Sequence, residues 1–103
     1  MRFLLKAQMS HDAANAAITS GSLPGTIQSI VDALKPEAAY FTACGGKRTA
    51  LLIVNFDDAA QIPALAEPWF LALGADIELM PVMVLDDLKR AGPAIEQAVK
   101  QFA

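Results

Sequence analysis

The chain has 103 residues, 54% of them hydrophobic and only 18% charged, with a formal net charge of −3. That length allows one domain over 1–103 and no more. The acidic balance, with no basic run, excludes nucleic acid and anionic membrane surfaces as partners. No segment approaches the ~18 consecutive apolar residues of a membrane span. Met1-Arg2-Phe3-Leu4-Leu5-Lys6 starts like a signal peptide, but Lys6 and Gln8 interrupt the apolar run too early. Cys44 is the lone cysteine, so no internal disulfide framework exists, which suits a reducing cytoplasm. The hydrophobic fraction exceeds the roughly 45–50% usual for globular domains, and a second copy of the chain is the simplest cover for the excess. A cytoplasmic homodimer is therefore expected.

Residues 2–9 alternate, with Phe3, Leu5, Ala7 and Met9 on one side and Arg2, Leu4, Lys6 and Gln8 on the other. This period of two predicts a strand with one apolar and one mixed face. Ser10 and Asp12 suit a helix start. An alanine-rich helical segment follows, Gly21–Gly25 breaks it, and Ile27, Ile30, Val31 and Leu34 resume a helical stripe that Pro36 ends.

Residues 38–56 read as two strands joined by Cys44-Gly45-Gly46-Lys47. A Gly-Gly pair tolerates the positive φ angles of a two-residue hairpin. That turn sets Tyr40 against Leu51, Phe41 against Ala50 and Thr42 against Thr49. Asp58 and Gln61 have capping-box spacing, and Ile62, Leu65, Ala66, Trp69 and Leu73 form the stripe of the next helix. Pro63 and Pro68 predict an irregular first turn and a kink in it. Gly74 ends that helix, and 75–84 predicts a fourth strand whose Pro81 implies an edge or a bulge. Asp86-Asp87 starts a helical turn, and Ile95, Ala98, Val99 and Phe102 mark an amphipathic terminal helix.

The order β-α-β-β-α-β followed by α predicts an α+β, ferredoxin-like fold. Its antiparallel four-stranded sheet carries the main helices on one face and leaves the other bare. In length and pattern the chain resembles the dimeric α/β-barrel superfamily, whose members pack two such sheets face to face. The segments Leu34–Phe41, Gly46–Thr49 and Ala66–Phe70 resemble a family of small bacterial proteins within it. Relatives of that fold include muconolactone isomerases, cofactor-independent monooxygenases and haem enzymes, and fold likeness alone does not choose among them. The haem enzymes use an axial histidine on a core helix. The only histidine here, His11, falls near the end of the first strand, so no haem and no other cofactor is expected.

Several short motifs have plainer readings. Ser10-His11-Asp12 holds triad residue types, but adjacent residues at a strand-to-helix junction diverge, and helix capping accounts for them. Cys44 lacks the partners of a zinc site, and Gly45-Gly46-Lys47-Arg48 leads into a strand, unlike a phosphate-binding loop. Asp57-Asp58 and Asp86-Asp87 suit helix N-termini, and no metal site is expected.

The bare face collects the richer set. A small, mainly apolar ligand there would meet Lys6, Gln8, Tyr40, Asn55, Glu78 and Met80, an apolar patch with a few polar groups. Antiparallel pairing of the first and fourth strands could set Lys6 or Arg2 beside Glu78 or Asp76. Three functions fit this face: a small-molecule-binding homodimer, a purely structural dimer subunit, and a metal-independent isomerase or monooxygenase-like enzyme. In the last, Lys6, His11, Tyr40 or Glu78 would move protons on a small aromatic or unsaturated substrate.

Overall fold

In the structure, a computed structural model describing residues 1–103, the alternating N-terminal segment forms strand β1, Arg2–Gln8. The Ser10 hydroxyl accepts a hydrogen bond from the Ala13 N–H and so starts helix α1, His11–Thr19. Helix α2, Leu23–Leu34, has Pro24 in its first turn and stops at Lys35. Lys35 is the one non-glycine residue at positive φ, 47°; Pro36 follows it and cannot continue a helix.

Strands β2, Ala38–Cys44, and β3, Lys47–Asn55, meet at Gly45 and Gly46, whose φ angles are 59° and 78°. Both glycines are required there, because a side chain strains that backbone. The hairpin has the predicted register, with Tyr40 opposite Leu51, Phe41 opposite Ala50 and Thr42 opposite Thr49. Asp58 and Gln61 form their reciprocal capping box around a single 3-10 turn, Ala59–Gln61. Helix α3, Ile62–Leu73, follows with Pro63 in its first turn and Pro68 inside it, and Gly74 closes it in the left-handed conformation. Strand β4, Asp76–Pro81, is shorter than predicted, and its Pro81 sits on an edge strand as expected. Helices α4, Leu85–Arg90, and α5, Gly92–Phe102, complete the chain. None of these helices is long and apolar enough to cross a membrane.

The fold is α+β. The four strands lie in the order β2-β3-β1-β4, every neighbouring pair antiparallel, with β4 at an edge. Leu5, Ala7, Leu52 and Val54 of the central strands point into the core, where Ala14, Leu23, Ile30, Leu65, Trp69 and Leu73 from α1, α2 and α3 meet them. Phe3 stacks on Phe56 at 4.1 Å beside this core. Trp69 is fully buried and its indole Nε1–H has no hydrogen-bond partner. Leaving that donor unpaired costs on the order of 1–3 kcal/mol, set against the apolar area the ring removes from water.

Helices α4 and α5 take no part in this core. The molecule measures 59 × 27 × 21 Å with a radius of gyration of 17.2 Å, against about 13 Å for a compact domain of this length. The extra length is the C-terminal arm. Helix α5 makes its main packing contact with α4, and every residue from Pro93 to Ala103 is exposed.

Candidate functional site

The uncovered face of the sheet is built from the alternate residues of the strands whose other side makes the core. Two rows run straight across it. One is Tyr40–Leu51–Lys6–Glu78, and the next is Ala38–Ile53–Leu4–Met80. Leu4, Lys6, Leu51 and Ile53 on the central strands are half-buried by their neighbours. Tyr40 and Met80 on the flanking strands are 64% and 40% exposed. The centre of the face is therefore apolar, with one lysine set into it and an acid on the adjacent edge strand.

Four of the six predicted ligand contacts, Lys6, Tyr40, Glu78 and Met80, lie in these two rows. Lys6 and Glu78 are directly opposite across β1 and β4, yet neither takes part in an ion pair. Tyr40 is three strands from Glu78, roughly 14 Å at the usual strand spacing. A small reacting centre can therefore be shared by Lys6 and Glu78 but not by Tyr40 and Glu78 together.

The other two contacts lie toward the ends of the face. Gln8 donates through Nε2 to the Cys44 carbonyl at 2.9 Å, which uses its amide to tie β1 to the hairpin turn. Asn55 pairs with Arg2 at the opposite end. His11 is exposed as the first residue of α1, beyond the Gln8 end, and it lines none of the concavities of the molecule.

The pairing of Arg2 differs from the expectation. Arg2 and Asp76 sit at opposite ends of β1, since Gln8 is the residue that faces Asp76. Arg2 instead donates from Nε to both carboxylate oxygens of Glu37, at 3.0 and 3.2 Å, and Asn55 donates to the same carboxylate at 3.4 Å. The reason lies in register: Arg2 and Gln8 are six positions apart, about 20 Å of extended chain.

The largest concavity opens at this Arg2 end. It has a volume of about 680 Å³, and its lining includes Arg2, Asn55, Val82, Met83, Asp87 and Arg90, within the usual size of a small-molecule site. Of the predicted contacts, it contains Asn55 alone. Asp87 and Arg90 reach it because Val82 still donates to the Arg2 carbonyl at 3.1 Å, which holds the base of the arm against the sheet.

The backbone N–H of Val84, bonded to Asp87 at 3.0 Å, holds that carboxyl below its ordinary range; partial desolvation opposes this, and Arg90 and then the charge of Arg2 lower it further. Asp87 and Arg90 form an ion pair one helical turn apart. The two arginines of the cleft are thus each matched by a carboxylate, so the cleft does not select an anion. Sequence reasoning read Asp87 as a helix cap and passed over Arg90. The i, i+3 spacing of those two residues in Asp86-Asp87-Leu88-Lys89-Arg90 was the available signal.

Elsewhere no three metal-ligating side chains converge. Cys44 is partly buried as a free thiol. No protein-family model matches the chain, and no curated protein is similar to it in sequence.

Proposed function

We propose that the chain is the ferredoxin-like subunit of a cytoplasmic homodimer that pairs through the open sheet face and holds a small, mainly apolar molecule there. The observation that carries this reading is the pair of rows across the face, with Leu4, Leu51, Ile53, Met80 and Tyr40 around Lys6 and Glu78. A patch of that composition is mainly apolar with a few convergent polar groups, the composition of a small-molecule site. The cleft at the Arg2 end gives an entry with matched charges, which favours a neutral ligand over an anionic one.

Light scattering across a concentration series tests the dimer, and a thermal-shift panel of small aromatic and aliphatic compounds tests the ligand. The expected result is a dimer at micromolar concentration that at least one apolar compound stabilises by several degrees. A monomer at every concentration overturns the pairing. A dimer that no compound stabilises leaves a structural subunit and removes the ligand.

A second reading is favoured by one feature, the apposition of Lys6 and Glu78 with neither in an ion pair. An amine and a carboxylate on adjacent strands can transfer a proton between neighbouring atoms of a bound unsaturated substrate, as a metal-independent isomerase requires. Turnover that survives Lys6→Ala with Glu78→Ala would remove those roles.

A further inference from the structure

We infer that the C-terminal arm, α4 with α5, packs on a second copy of this chain and not on its own subunit. The inference rests on the dimer proposed above and adds to it an exchanged contact. The first support is area. The chain exposes 6657 Å², whereas a compact monomer of its 10.9 kDa mass exposes about 5,600 Å². The excess, roughly 1,000 Å², exceeds the about 800 Å² that each partner buries in a standard interface.

The second support is pattern. Leu85, Leu88, Ile95, Val99 and Phe102 are between 46% and 81% exposed. With Gly92 in the gap, they recur at alternating steps of three and four, the a and d positions of a heptad. A seam of that spacing faces one packed surface along its whole length, and in this chain it meets none.

Charge and exposure supply the rest. Residues 82–103 carry three acidic and three basic side chains, so the arm is neutral and approaches a copy of an acidic protein without repulsion. A membrane-binding helix would instead carry an excess of lysine and arginine. The base of the arm is tied to the sheet by the Val82–Arg2 hydrogen bond, 3.1 Å, and α4 is capped by the Val84–Asp87 bond, 3.0 Å, while every residue from Pro93 onward is exposed. A two-fold dimer lets each arm cover the other subunit at once.

The test places a nitroxide on the polar side of α5 through Gln97→Cys, with Cys44→Ser to keep the label unique, in the full chain. Spin-labelled protein is mixed with unlabelled ¹⁵N protein, and the sample is shown to be dimeric by light scattering. Broadening of amides on the ¹⁵N subunit is the expected result. A dimer that broadens only when label and ¹⁵N share one chain means the arm folds back, which overturns the exchange and leaves the sheet-face dimer standing. A monomer removes both. As a companion, Ile95→Asp with Val99→Asp should weaken dimerisation by roughly tenfold or more while the circular dichroism of the body is unchanged. An unaltered dissociation constant overturns the inference even if the dimer persists.

Discussion

The two faces of this sheet are made by the same strands and differ in almost everything else. On the covered face Leu5, Ala7 and Leu52 are fully buried and Val54 nearly so, whereas the one buried polar residue, Thr49, lies on the other side opposite Gln8 and Thr42. One position along, Leu4, Leu51 and Ile53 are apolar but only half-buried, and Lys6 stands among them. Hydrophobicity alone therefore does not distinguish the sides; coverage does. The covered face is complete within one chain, whereas the uncovered face and the seam of α5 are apolar surfaces left exposed. What the difference teaches is that this chain divides its apolar residues between an enclosed core and two exposed apolar surfaces.

The strongest way to break the comparison is to cut matched side chains on the two faces. Leu52→Ala should lower the unfolding free energy by about 3 kcal/mol, because the side chain is fully enclosed and leaves a cavity. Ile53→Ala, next to it but on the open side, should cost less than half of that in dilute protein, where burial is partial. Urea unfolding at low concentration measures both, and equal losses would erase the distinction between the faces.

Next in size is the hinge between the helix layer and β4. Gly74 has φ of 53°, and a Cβ there would lie 3.1 Å from the Ser10 hydroxyl. Gly74→Ala should therefore cost roughly 1–2 kcal/mol, read as a lower thermal midpoint. A neutral result would mean that the junction under the covered face is looser than its geometry. Ser10→Ala removes the cap on the Ala13 N–H and should cost about 1 kcal/mol. Amide exchange faster at Ala13 than in the body of α1 would localise the loss.

The smallest effect belongs to acid, and it sharpens the contrast. None of the buried residues of the chain is titratable, while Asp87 at the base of the arm titrates below the usual 3.8. A depressed folded pKa contributes stability above the unfolded value, about 3.9, and that contribution is lost as pH falls through the folded one. The Val84 amide should accordingly lose protection below about pH 3.9 while the Leu52 amide keeps its own. Carbon-13 titration of Asp87 checks the direction, and a midpoint at or above 3.8 contradicts it.

Much of this was legible from local chemistry. Alternation in 2–9, the Gly45-Gly46 turn, and the Ser10, Asp58 and Gly74 caps each depend on residues a few positions apart, so the elements and the hairpin register could be read directly. The two rows of the open face follow from that register together with the strand order. Two features could not be read in this way. Arg2 has Glu37 as its partner because the register of β1 between β3 and β4 separates it from Asp76 by the length of a strand, a distance that no local pattern encodes. The terminal helix was visible as amphipathic from Ile95, Val99 and Phe102, but a period of helical spacing states only that one side is apolar. That this side stays exposed along its whole length is a tertiary fact, since the sheet ends at Pro81 of β4 and no other element covers the residues from Pro93 onward.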